Sequence, residues 1–127
     1  MENATMQTRA LSFLNTPSNG NLSLDNGIVP AGTGKVEAGT VMGKLTANKK
    51  HFVPSPHAEV AGVEGAEVAC AVLAYGVNAT TSDVEVSFVD RDAEVKLPML
   101  AYHASVDDQA KMDAKIEQLD AVGIRAR

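Results

Sequence analysis

One stretch constrains this chain more than any other: Ala66 to Val77, the longest apolar run in its 127 residues. Read alternately, one parity is Val68, Cys70, Val72 and Ala74, and the other is Ala69, Ala71, Leu73 and Tyr75. A strand turns successive side chains to opposite faces, so a strand here has no polar face to leave in water. It needs cover on both sides and is expected at the centre of a sheet. The covering residues are small. Of 57 apolar residues, 19 are Ala and 15 are Val, with three Phe, two Tyr and no Trp. Leu, Ile, Val and Phe total 30, about 24% of the chain, which exceeds the composition of a disordered protein. A core can form from these pieces, in one domain. A globule of this size buries only about two-thirds of its unfolded surface, so contacts between copies would add stability.

Around that strand the pattern is mainly β. Ile28-Val29-Pro30 reads as a short strand, Ala31-Gly32-Thr33-Gly34 as a loop, and Gly39 to Leu45 as a strand containing Gly43. Ala47-Asn48-Lys49-Lys50 is a turn that returns Lys50 to Val53 as a hairpin partner. Residues 54–66, with two Pro and two Gly, form a surface loop, and Asn78 to Asp83 is a polar turn. Val84 to Val89 alternates, with Val84, Val86 and Phe88 on one face and Glu85 and Ser87 on the other, as a half-exposed strand does. After the Arg91-Asp92 turn, Ala93 to Leu97 is a further strand ending at Pro98. One helix follows. Ser105 is its expected N-cap, Met112, Ile116 and Leu119 form its apolar stripe, and Gly123 ends it. Ile124 to Arg127 leaves the helix as a strand-like tail. The sum is about six strands and one C-terminal helix, an α+β chain dominated by β.

Residues 1–23 differ from the rest. Ten of them are Asn, Ser or Thr, and the one apolar patch, Leu11-Ser12-Phe13-Leu14, precedes the turn signature Pro17-Ser18-Asn19-Gly20. Such a segment cannot bury enough surface to order itself. Two readings stand: a flexible terminus with no role, or an arm that becomes ordered on a partner with Phe13 and Leu14 as its anchors, the structured domain covering residues 24–127.

Several chemistries are excluded by pattern. No stretch approaches the ~20 apolar residues of a membrane span. Met1 to Ala10 has no apolar core of an export signal. One Cys rules out an internal disulfide, and a net charge of −5 opposes binding to nucleic acid. Residues 1–58 hold three acids and five bases, and residues 59–127 hold thirteen acids and six bases, which reads as a solvated acidic face without a basic block. Gly32-Thr33-Gly34-Lys35 fails the phosphate-loop pattern, because Val29 and Val36 stand where Gly and Ser or Thr are needed. His51, His57 and His103 lack metal-ligand spacing. Asp90-Arg91-Asp92-Ala93-Glu94 lacks the Gly and the distal Glu of a calcium loop. Cys70 reads as a small buried hydrophobe. Neither a catalytic constellation nor a cofactor or metal site is expected, which leaves an interaction protein.

The residues Leu22-Ser23-Leu24-Asp25-Asn26, Ala38-Gly39-Thr40-Val41-Met42-Gly43-Lys44 with Val53-Pro54, and Leu73-Ala74-Tyr75-Gly76-Val77-Asn78-Ala79-Thr80 occur in order along the chain. Arg91-Asp92-Ala93-Glu94-Val95 and Leu119-Asp120-Ala121-Val122-Gly123-Ile124-Arg125 complete the set. Together they resemble the head decoration proteins of tailed phages related to that of phage lambda, from about Leu11 to Arg127. The resemblance implies a β-clip-like, trimer-forming fold. It also implies a virion location on the outer surface of the expanded head, at three-fold and quasi-three-fold positions, with the major capsid protein as partner. It assigns capsid contact to the arm, here Leu11, Phe13, Leu14, Leu22 and Leu24, and it transfers no catalytic residues. Two other readings compete. A β-rich adhesion or carbohydrate-binding module would want exposed aromatic residues, and a trimeric β-clip nucleotide hydrolase would want Mg²⁺-binding carboxylates and a phosphate loop.

Overall fold

The computed structural model describes residues 14–17, 24–91 and 93–127. Its organising element is the strand expected at the centre, β6 (Ala69–Leu73). This strand lies between β8 (Val84–Val89) and β4 (Val41–Lys44) in a five-stranded antiparallel sheet. Beyond β8 comes β2 (Leu24–Val29), and beyond β4 comes β5 (Phe52–Pro54), so the sheet order is β2-β8-β6-β4-β5. The two edges meet again. Ile28 bridges His51, and its N–H donates to the Lys50 carbonyl at 2.8 Å, which curls the sheet towards a barrel.

Both faces of β6 are covered, as its sequence requires. On the concave side Ala71 and Leu73 pack with Val29, Met42, Val86 and the mutually tilted rings of Phe52 and Phe88, whose centroids are 4.2 Å apart. Gly27 sits over those rings, and a Cβ there would approach Phe88 and Phe52 to 2.6 and 2.7 Å, so only glycine fits. On the convex side Ala69 and Val72 join Val41, Val89, Leu119 and Ile124. Ala69 and Val72 are three positions apart, which strict alternation forbids. A bulge accounts for it: Met42 pairs with Ala71 and Gly43 with Ala69, so Cys70 is the extra residue and the parity of the strand changes there. Gly43 also passes beneath the Ala66 carbonyl, where a Cβ would lie 2.0 Å from that oxygen.

Two smaller sheets flank the barrel. β3 (Gly34–Val36) pairs with β7 (Val77–Ala79) as a two-stranded ribbon. The other has β9 (Ala93–Val95) at its centre, with β1 (Leu14–Pro17) antiparallel on one side and β10 (Ile124–Ala126) parallel on the other. The parallel pairing requires a crossover, and the helix α1 (Gln109–Ala121) supplies it while packing on β6 and β10.

The outline expected from sequence holds, with these corrections. The described residues contain ten strands rather than about six, because short ladders such as β7 lie in segments that read as turns. The central strand is shorter than its apolar run: Val68 and Tyr75, at either end, are 54% and 37% exposed. β9 ends at Val95, and Pro98 lies in a 3-10 turn spanning Leu97–Met99. The helix N-cap is Asp108, whose Oδ1 accepts the Lys111 N–H at 2.9 Å. Ser105 is otherwise engaged, accepting the His57 N–H and bonding His103 Nδ1, both at 2.8 Å. The stop at Gly123 is as expected, with φ 88°. Leu14–Pro17, expected to be free, forms a backbone ladder with β9 and so belongs to the domain's sheet.

The helix also buries a residue that hydropathy places outside. Lys115 is 1% exposed, while Met112 and Ile116 are only half-buried. Its ammonium has three donors, which three close acceptors meet, Ser55 Oγ at 2.9 Å and the carbonyls of Pro56 and Glu67 at 2.6 Å each, with Gln118 Oε1 a fourth and longer one at 3.4 Å. Ser55 in turn donates to the Ala66 carbonyl at 2.6 Å, and Gln118 Oε1 accepts the Ala69 N–H at 2.8 Å. Burial holds the Lys115 pKa below its ordinary value. Lys115→Met keeps the packing of the stem but strands the two carbonyls, each worth about 1–3 kcal/mol when left without a donor. The variant is expected to lose about 3 kcal/mol in urea unfolding, and a loss under about 1 kcal/mol would mean that water replaces the ammonium.

Candidate docking surface

The groups that invite a chemical reading are placed in structural roles. In the Gly32–Lys35 turn two amides are already bonded, Gly32 donating to the Ala79 carbonyl at 2.8 Å and Thr33 to the Pro30 carbonyl at 3.3 Å. They are therefore occupied rather than available to a phosphate. His51 and His103 line a groove of about 540 Å³ with Pro30, Val53 and Val60, and His103 is tied to Ser105. Among the described residues no three His, Cys, Asp or Glu side chains come together in a metal-holding group. Phe52 and Phe88 are core residues, and the Tyr75 hydroxyl is turned to the Ser87 N–H at 3.2 Å.

Cys70 is only half-buried, which the bulge explains: the extra residue has no facing partner to cover it. Burial raises its thiol pKa against the opposing influence of Lys44, so the thiolate is disfavoured.

The residues expected to contact a partner fall into two groups. Leu11, Phe13 and Leu22 lie outside the described residues. Leu14 opens β1 opposite Val95, and Leu24 opens β2 opposite Val89. β1 ends with Pro17 opposite Ala93. Val89 and Ala93 stand on either side of the turn that contains Asp90 and Arg91, so Pro17 and Leu24 are both fixed at one corner of the molecule. That corner joins the barrel to the outer sheet. Among the described residues β1 pairs with β9 alone, which leaves its other edge available for a further strand.

Beside this corner is a hollow of about 240 Å³ at the end of the barrel, lined by Asp25, Lys44, Lys49, Lys50, Cys70 and Asp90 among others. Arg91 reaches Asp90 at 3.2 Å and Asp25 at 3.8 Å. Burial raises the Asp90 pKa, the Arg91 guanidinium opposes that, and the Asp25 carboxylate adds to it. The charged groups of this end were each legible as surface residues. Their convergence was not, because it depends on how five strands and a turn end together.

The geometry therefore defines a small, mainly β protein with one C-terminal helix, in which β1 ends and β2 opens at one corner and, among the described residues, one edge of β1 is unpaired. The chain matches the family described as bacteriophage lambda head decoration protein D over residues 3–124, and it belongs to that family. A comparison with curated proteins finds no match.

The raised Asp90 pKa carries a sign. A carboxyl protonated more readily in the folded state stabilises fully below its unfolded pKa, and that contribution is lost as pH rises through the folded value. In urea titrations from about pH 4 upward, wild-type stability relative to Asp90→Asn is expected to fall with rising pH. A flat difference would show that Arg91 fully compensates burial.

Proposed function

We propose that this protein decorates the outer surface of the expanded phage head as a homotrimer, seated at three-fold and quasi-three-fold positions, where it cements neighbouring major capsid protein subunits. Membership of the decoration family over residues 3–124 carries the reading. The corner geometry supports a mechanism for it. The end of β1 at Pro17 and the opening of β2 at Leu24 converge on one corner of the fold, with the β1 edge away from β9 open to a further strand among the described residues. Strand addition at such an edge draws affinity from main-chain hydrogen bonds and selectivity from alternate side chains.

Stabilisation then follows from mass action. A ligand that binds the expanded lattice and not its precursor shifts the balance towards expansion by its differential affinity. In a trimer three arms act on one body, and once the first has docked the others bind at high effective concentration. Leu11, Phe13, Leu14, Leu22 and Leu24 are the proposed contacts, with Phe13 the largest apolar anchor.

The test is co-sedimentation with expanded, undecorated heads of the cognate phage. Deleting residues 1–13 retains β1 and is expected to leave the fold intact while weakening head binding strongly. Phe13→Ala, losing one buried side chain worth roughly 1.5–3 kcal/mol, is expected to bind about ten- to a hundredfold more weakly. Sedimentation equilibrium should show a species of three chain masses. Saturation of the heads by the deletion variant at the wild-type concentration would show that the arm is passive.

A further inference from the structure

The exposed lysines of the N-terminal half are scattered in sequence, but the fold gathers three of them. Lys44 ends β4, while Lys49 and Lys50 form the tip of the β4–β5 hairpin, and all three border the hollow that Asp25 and Asp90 also line. None of the three lies within ion-pair distance of a carboxylate among the described residues, where the pairs found involve Arg91, Lys111, Arg125 and Arg127. The two acids of the hollow, Asp25 and Asp90, are engaged by Arg91 from the other side. Among the described residues that leaves four bases against two acids around the hollow, in a chain whose net charge is −5.

The lysines are also held in place. Lys44 Nζ sits 5.9 Å from the centre of the Phe52 ring. The hairpin tip is closed by the His51 N–H to the Asn48 carbonyl at 3.0 Å and the Lys50 N–H to Asn48 Oδ1 at 3.1 Å. The Lys50 carbonyl accepts the Ile28 N–H, which fixes the tip against the far end of β2, while Asp25, next to Leu24, and Asp90 line the same hollow as the lysines. A cationic rim thus accompanies the proposed docking corner.

We propose that Lys44, Lys49 and Lys50 form an electrostatic contact that docks on a carboxylate-rich patch of the capsid shell, steering the protein onto the lattice before the arm engages. The inference rests on the capsid-decoration reading and adds the chemistry of the partner surface. A protein surface fits better than nucleic acid, because the rim is small and interrupted by Asp25 and Asp90, and a phosphate backbone would meet the net negative charge of the rest of the chain. Complementary charge acts mainly on the association rate and is screened by salt, with a Debye length of about 10 Å at 0.1 M.

The test compares full-length wild type, Lys49→Glu/Lys50→Glu and Lys49→Arg/Lys50→Arg on expanded, undecorated heads of the cognate phage, with thermal midpoints as a folding control. At about 50 mM salt the Glu variant is expected to associate at least tenfold more slowly, the Arg variant should match wild type, and at about 500 mM the difference should shrink below about twofold. Equal binding by all three proteins at both salts overturns the rim proposal while leaving the decoration reading intact. If wild type fails to bind the heads at either salt, both readings fall. Suppression of wild-type head binding by added duplex DNA, with no effect of the Glu variant on the heads themselves, would assign the rim to nucleic acid and also overturn the proposal.

Discussion

The fold depends on a strand that must be covered twice. β6 carries apolar side chains on both faces, and small residues dominate it, so its neighbours approach closely on either side. The barrel closes over one face and the crossover helix over the other. The bulge at Cys70 lets this happen: it resets the alternation so that Ala71 and Leu73 face the phenylalanine rings while Ala69 and Val72 face Leu119 and Ile124. Gly27 and Gly43 serve the same end. Each gives up a side chain where another group, an aromatic ring or a carbonyl, has to sit.

Much of this was legible in the residues, and the failures have physical causes. The β4–β5 hairpin, the alternating β8, the Gly123 stop and the terminal strand follow from local periodicity and turn chemistry, which short windows capture. The Ser105 cap failed because two equally good caps lie three residues apart and a long-range bond from His57 claims the first. Lys115 was invisible to hydropathy for a different reason. Its burial is decided by carbonyls at Pro56 and Glu67, far away in sequence, which no helical wheel contains. The strands β1, β3 and β7 were missed because their three or four residues lie in segments rich in Asn, Thr, Gly or Pro, where turn chemistry masks the strand pattern.

Of the proposed docking surface, the apolar patch Leu11-Ser12-Phe13-Leu14 could be read directly, whereas the corner formed at Pro17 and Leu24 could not. Pro17 and Leu24 come to one corner through pairings with Ala93 and Val89, contacts that span most of the chain. The charge pattern tells the same story. A count by halves shows a mild basic excess near the start, and only the folded barrel turns that excess into a rim.

The buried ammonium of Lys115 has one more consequence. The stretch from Ser55 to Val68 contains no helix or strand, yet its carbonyls at Pro56, Ala66 and Glu67 are tied through Ser55 and Lys115 to a single turn of α1. Loop and helix therefore open together or not at all, as one cooperative unit, since lifting either exposes the charge's partners without their donor. Amide hydrogens in an irregular surface loop ordinarily exchange fast. Here the slowest of them should share the protection of the helix, so that a segment with the look of a loop has the thermodynamics of the core.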